Sequence, residues 1–221
     1  MIERIEYQVE KYSFAEIDET PRIRQQWAEV IQECREVHAG STERLRIALL
    51  NVDYVTSFEL PFRLLLIRTP QLIDRLRDDL QLGQKTAVMN GKSRGQVYSL
   101  GADLSDVPDA FRYRLSSRIR RVQVKGATAV PYQQIARQTK APRERLRLAL
   151  EAGLQVNALD GLFWLGLQRI AADVLKLRQS GMAIATSEVE VVDTLTGTQR
   201  TVAAYQRESY LSAIQPEPII D

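Results

Sequence analysis

The sequence predicts an α+β protein, mainly α with a small β component, and three observations carry that class. Apolar residues recur at helical spacing through much of the chain, a strand-like pattern surrounds Asn90-Gly91, and two β-prone runs joined by a polar turn stand near the C-terminal end. The 221 residues, 44% apolar and 26% charged, suffice for one large domain or two small ones. No apolar run reaches the roughly 18 to 20 residues of a membrane span. The first residues, Met1-Ile-Glu-Arg-Ile-Glu, lack the cationic-then-apolar order of a secretion signal. A cytoplasmic protein without a membrane partner is therefore expected. A single cysteine, Cys34, and a single histidine, His38, exclude disulfides, a thiolate zinc site, a His-pair metal site and any triad needing more than one imidazole.

Taken in order, the first half reads as a helical domain over 1–107. Pro21 precedes a helix near 22–38, striped by Trp27, Val30, Ile31 and Cys34, and further helices are expected at 42–50, 58–67 and 70–82. Gly40 and Gly83 read as helix stops. Leu64, Leu65, Leu66 and Ile67 are expected in the core, as is Cys34, while His38 reads as a surface or packing residue rather than a base. From 84 to 101 the pattern turns to short strands, Thr86 to Met89 and Gln96 to Leu100, around the hairpin dipeptide Asn90-Gly91; a surface loop is the alternative. From Pro108 to Val122, Phe111, Leu115, Ile119 and Val122 return at helical spacing, which would line Arg114, Arg118 and Arg121 along another face as a cationic ridge.

Charge is unevenly placed along the chain. Residues 1–111 carry 14 Lys/Arg against 18 Asp/Glu, net −4; residues 112–147 carry 11 basic residues against Glu144 alone, net +10; residues 148–221 carry 5 against 9, net −4. A block of that density repels itself, and a polyanionic partner is the economical reason to keep it, against the plainer reading of solvated faces answered by acids elsewhere in the fold. Within 108–140, a basic helix and connector, 122–130 alternates like a small hairpin. Pro131 then opens a helix carrying Tyr132, Ile135 and Ala136. The turn at Thr139-Lys-Ala and the helix from Pro142 complete a helix-turn-helix-like pair without glycine in the turn.

Residues 141–207 are more specific. A helix over 142–152 ends at Gly153, and Asn157 caps a second helix over 158–164. Gly166 breaks the chain before a third over 167–179, and Gly181 stops that one. Strands at 184–192 and 200–205 flank a polar turn. Three helices and a hairpin follow the order of a winged helix-turn-helix. The stretch Arg169-Ile-Ala-Ala-Asp-Val-Leu-Lys-Leu-Arg-Gln-Ser-Gly-Met-Ala-Ile184, with Thr201-Val-Ala-Ala-Tyr205 after the hairpin, resembles the small winged helix-turn-helix domains of bacterial phage and mobile-element proteins over about 143–206. The shared pattern is Arg-x-Ala-Ala-x-x-x-x-Leu-Arg-x-x-Gly-x-x-Ile, then Val-Ala-x-Tyr. The resemblance implies DNA binding through the third helix. Two departures stand out: Glu188, Glu190 and Asp193 on the hairpin, where phosphate contacts favour cations, and a longer Thr-rich tip. Residues 208–221 read as an acidic tail.

At 100° per residue the third helix puts Leu167, Ile170, Ala171, Val174 and Leu177 on one arc and Gln168, Arg169, Ala172, Lys176 and Gln179 on the other. The second arc holds what a major groove accepts: a guanidinium for guanine, amides for adenine, an ammonium for phosphate and a small residue for close approach. A merely solvated helix can show the same set. Arg178 falls on the apolar side and reads as structural, paired with a nearby acid. Base reading is thus assigned to Gln168, Arg169, Ala172 and Lys176, with Gln179 and Arg200 beside them. Phosphate affinity is assigned to Arg114, Arg118, Arg121, Lys125, Arg137, Lys140, Arg143, Arg145 and Arg147. The function expected is double-stranded DNA binding without enzymatic activity, cofactor or metal, in transcriptional control or as an accessory to a DNA transaction. A homodimer and a protein partner for 1–107 stay open. The rivals are an interaction adapter and, more weakly, a metal-dependent nuclease using Asp78, Asp79, Asp103, Asp106 and Asp109.

Overall fold

The computed structural model describes residues 5–8, 14–101, 103–115, 120–123, 130–193 and 195–208. The chain divides into two units, one drawn from 9–118 with 193–198, the other from 1–8, 119–192 and 199–221.

In the first unit, Thr20 accepts a hydrogen bond from the Ile23 amide (3.2 Å) and Pro21 fills the first turn, so helix α1 starts there, Pro21–Glu36. It buries Trp27, Val30 and Cys34 of the predicted stripe together with Ile23, while Ile31 is only half-buried. Helices α2 (Ser41–Asn51) and α4 (Thr69–Leu80) match expectation within two residues at each end. The expected helix over 58–67 shrinks to α3, Leu60–Arg63. Leu64, Leu65 and Leu66 are core, as predicted, while Ile67 is only half-buried, and Leu65 takes φ +54, in which no right-handed helix continues.

Neither glycine expected to stop a helix does so. Left-handed His38 (φ +50) and Gln81 (φ +49) follow α1 and α4, while Gly40 begins α2. Gly83 lies in strand β4, where a Cβ would meet the Gly101 carbonyl oxygen at 2.3 Å. With β3 (Val55–Thr56), β4 (Leu82–Met89), β5 (Lys92–Leu100) and β6 (Ala110–Phe111) the unit builds a sheet ordered β3-β5-β4-β6. Asn90 (φ +49) and Gly91 (φ +76) form the predicted two-residue turn, pairing Met89 with Lys92. Strand β2 (Phe14–Glu16) pairs antiparallel with β7 (Tyr113–Leu115).

The helix expected over Pro108–Val122 is therefore corrected. Its residues form β6, β7 and β8 (Arg120–Gln123), so Arg114 and Arg121 lie on strands and make no helical ridge. Phe111 and Tyr113 point inward while Ala110, Arg112 and Arg114 point out, a period of two that the equally satisfied helical spacing concealed. Residues 116–119 and 124–129, and with them Arg118, Lys125 and the small hairpin expected near 122–130, lie outside the described residues, as does most of the acidic tail.

The second unit contains β1 (Ile5–Gln8), β8, α5 (Val130–Gln138), α6 (Pro142–Glu151), β9 (Val156–Asn157), α7 (Ala158–Asp160), α8 (Ile170–Gln179), β10 (Ile184–Val192) and β11 (Gln199–Arg207). Its core joins Tyr132 and Ile135 of α5, Leu146 and Leu150 of α6, and Ile170, Val174 and Leu177 of α8. Local readings survive here: Asn157 caps α7 through its side chain, and Gly166 breaks the chain at φ +76.

The winged helix-turn-helix does not. Strands β10 and β11 are the third and fourth of a five-stranded sheet ordered β8-β1-β10-β11-β9, with β1 parallel to β10. The turn that a wing would hold out to DNA belongs with the first unit instead, with Asp193, Leu195 and Thr196 buried. Asp193 meets the Arg44 guanidinium at 2.8 Å. Arg44 also donates to the carbonyls of Ala39 (2.8 Å) and Leu64 (3.2 Å) and to the Thr196 hydroxyl (3.0 Å). The second helix is one short segment continuing as a π-helical turn, Gly161–Leu165, and the third starts at Ile170 rather than Leu167. The fold is also richer in strand than a helical N-terminal domain implies, since that region carries two sheets. Alternation along one strand identifies a hairpin but not its distant partners, which is why β1 beside β10 was invisible.

Candidate nucleic-acid interface

Helix α8 presents two faces. Ile170, Val174 and Leu177 bury, with Leu167 just ahead of them. Gln168, Arg169, Ala172, Lys176 and Gln179 are all exposed, and Arg169 is the residue from which the helix departs. Ala171, expected on the buried arc, is exposed too, because the stripe needs only the three larger residues to seal it. Among the described residues neither Arg169 nor Lys176 has an ion-pair partner. Arg178 is structural, but its partner differs from the acid expected: Nε and Nη2 donate to the Ile184 carbonyl (3.0 and 2.6 Å) and Nη2 to the Thr186 hydroxyl (2.8 Å), bracing the start of β10.

The turn between α5 and α6 lies beside this helix. Arg143 Nε meets the Asp173 carboxylate at 2.9 Å, joining the first turn of α6 to α8. Arg145 donates from Nε to the Thr139 carbonyl at 2.8 Å, and its Nη1 comes within 3.9 Å of where a Cβ on Gly166 would stand, so it spans the α5–α6 turn and the bend ahead of α8. Arg137 and Lys140 are exposed on either side of Thr139, with no ion pair among the described residues. The result is a surface with four cations that have no ion-pair partner among the described residues, Arg137, Lys140, Arg169 and Lys176, and two amides, Gln168 and Gln179.

Other predicted members are not brought to it. Arg147 is held by Glu144 (2.6 Å) and Glu151, which answer its charge within α6; the hydrogen bond from Arg147 in turn holds the Glu144 carboxyl below its ordinary range. Arg200 is half-buried on β11 and already engaged. Arg114 is exposed on β7, opposite Ala15, in the other unit, and Arg112 beside it pairs with Asp18 at 2.9 Å. Arg121 contributes backbone to β8 opposite Tyr7. The basic block is thus divided between two units and partly neutralised.

Two features escaped the sequence reading. Leu175 is 55% exposed on α8. Lying three residues from Ala172 and four from Gln179, it belongs by the same 100° arithmetic to the polar arc, so the signal existed. The second is a buried ionic cluster in the first unit. Arg63 donates to Glu59 (2.8 Å) and Glu19 (2.6 Å) and lies over the Trp27 ring at 4.6 Å. Tyr54 donates to Glu16 (2.8 Å), the Thr56 amide to Glu59 (2.7 Å), and the Thr56 and Tyr113 hydroxyls share a bond of 2.8 Å. Burial pushes the Glu16 carboxyl up to about 7, the Tyr54 bond working against it and the negative charges of Glu59 and Glu19 adding to it. No local pattern marks these residues, which come from β2, β3, α3, β7 and the loop before α1. The four charged groups are sealed from solvent, so the cluster secures the junction of those elements and offers no open position for a substrate.

The carboxylates weighed for a nuclease do not converge. Asp109 binds Lys85 (3.0 Å), Asp103 accepts from the Ser105 amide (2.9 Å), Asp79 stands 3.8 Å from Arg46, and among the described residues no group of three acids, histidines or cysteines is placed to hold a metal ion. No helix of the described residues is long and apolar enough to cross a membrane. No protein-family model matches the chain, and comparisons with curated proteins and with solved structures likewise find no match.

Proposed function

We propose that the protein binds double-stranded DNA through the surface formed by α8 and the α5–α6 turn, with Gln168, Arg169 and Gln179 facing base edges and Arg137, Lys140 and Lys176 facing phosphates. The observation that carries this reading is the exposed face of α8 together with Gln168 and Arg169 at its entrance, which offers a guanidinium and two amides beside cations that have no ion-pair partner among the described residues. A helix presenting such a face suits the major groove by width alone and needs no wing. The role that follows is transcriptional control or assistance to a DNA transaction.

Fluorescence anisotropy with a short random-sequence duplex, titrated at several salt concentrations, tests the reading. Binding that falls steeply with salt is the expected result, since each neutralised phosphate releases counterions. The adapter reading keeps one specific support: Arg143 and Arg147, at the heart of the basic block, already have acidic partners. Absence of duplex binding at low salt by the folded chain would favour the adapter.

A further inference from the structure

We propose that Leu175 reads the C5 methyl group of thymine in an A·T base pair and is a specificity-determining residue of the α8 surface. The inference rests on the duplex-binding reading and deepens it by naming the base pair recognised. A solitary exposed leucine on a protein surface is ordinary. This one has a particular setting: it is the one large apolar side chain on a helix face otherwise made of Ala172, Lys176 and Gln179, with Gln168 and Arg169 exposed just ahead of the helix, and it is 55% exposed while Ile170, Val174 and Leu177 of the same helix are buried.

The chemistry of its neighbours selects the occupant. Gln179 lies one turn beyond Leu175 on the same helix, and Gln168 stands exposed in the bend just ahead of the helix start, so amides occur at both ends of α8. In the major groove an A·T pair presents an N6 donor and N7 acceptor on adenine, which an amide matches in bidentate fashion, and on thymine a methyl group that an apolar side chain matches. A G·C pair offers no methyl. Ala171 and Ala172, both exposed and small, let the backbone of α8 approach closely enough for a leucine to reach the groove floor. The cations Arg169 and Lys176 on the same helix supply the charge complementarity that draws this face, rather than another, to the polyanion.

The experiment uses the full chain and a duplex enriched from a random-sequence pool by the chain itself. Each thymine of that duplex is replaced in turn by deoxyuridine, which removes the methyl and leaves the hydrogen-bonding edge unchanged. At one or two positions the replacement should weaken binding by about fourfold, the worth of one buried methyl-sized group. Leu175→Ala should bind the unmodified duplex about fourfold more weakly and be indifferent to deoxyuridine there, with random-sequence binding and melting temperature unchanged. Leu175→Gln, which keeps size but not apolarity, should behave likewise. An enriched duplex without thymine, a wild-type chain indifferent to every replacement, or an undiminished deoxyuridine effect in Leu175→Ala would overturn the inference while leaving duplex binding intact. Failure to bind any duplex would overturn the functional reading, and this one with it.

Discussion

Arg44 and Arg169 are the same residue type with opposite assignments. Arg44 is 1% exposed and surrounded by two carbonyls, a hydroxyl and a carboxylate, so its charge is spent inside the fold. Arg169 is exposed, and its fork of donors remains for a ligand. We predict that Arg169→Ala costs about 1 to 3 kcal/mol on a preferred duplex and much less on random DNA, because only the specific complex loses a bidentate pair, whereas Lys176→Ala weakens both alike. Parallel anisotropy titrations on the two duplexes, with melting curves to show both variants folded, check this. Equal losses on both duplexes for Arg169→Ala would make it a phosphate contact.

Glu16 supplies a prediction of pH dependence. Its folded value of about 7 lies above the ordinary 4.5, so the native state holds the proton more tightly than the unfolded chain. Stability from this group is present in full below about 4.5, falls as pH rises through the interval up to about 7, and stays low above it. The expected loss is up to about 3 kcal/mol. Urea unfolding across that range should show the decline in the wild type, and Glu16→Gln, which cannot ionise, should flatten it; an unchanged slope in the variant would place the titration elsewhere.

Among the elements, α7 depends most visibly on its cap. Asn157 accepts from the amides of Leu159 (2.9 Å) and Asp160 (3.1 Å), and Asp160 accepts from the Asn157 amide (3.0 Å). Asn157→Ala should cost about 1 kcal/mol, seen as a lowered midpoint in denaturant, since it leaves the Leu159 and Asp160 amides without their acceptor at the start of the segment that leads into the π-helical turn. A midpoint unchanged within error would mean that β9 and the core hold that segment without the cap. Caps of this kind are legible in sequence because they are local, and so are α1, α4, α6 and the Asn90-Gly91 hairpin. The stretch 108–122 was illegible for a different reason. Phe111, Leu115 and Ile119 satisfy a helix and Phe111, Tyr113 and Leu115 satisfy a strand, and pairing between β2 and β7, almost a hundred residues apart, decided between them.

For the molecule as a whole, charge density along the chain overstated the charge available on one surface. Of the block over 112–147, Arg112, Arg143 and Arg147 already face acids, and Arg112 and Arg114 belong to the unit that does not contain α8. We predict that replacing Arg137, Lys140 and Lys176 together by Ala reduces the slope of log K against log salt by about 3, if each neutralises one phosphate. Arg114→Ala should leave the slope unchanged. The converse pattern, read from the same salt titrations, would move the DNA path to the first unit.

By itself the sequence determined what local physics can decide: the start of α1 at Pro21 and most of its stripe, the cap at Asn157, the hairpin turn at Asn90-Gly91, the buried Leu64–Leu66 run, and the polar and apolar faces of α8. Each rests on residues within two or three turns of one another, where spacing and side-chain chemistry leave few alternatives. Only the tertiary structure decided that β10 pairs with β1 as well as β11, that Asp193, Leu195 and Thr196 are buried, with Asp193 against Arg44, instead of forming a wing tip, that the basic block is divided, and that Glu16, Glu19, Glu59 and Arg63 share one enclosure. These depend on partners distant in sequence. Strand pairing and burial of charge are settled by which distant group arrives to satisfy them, and a linear pattern carries no record of that arrival.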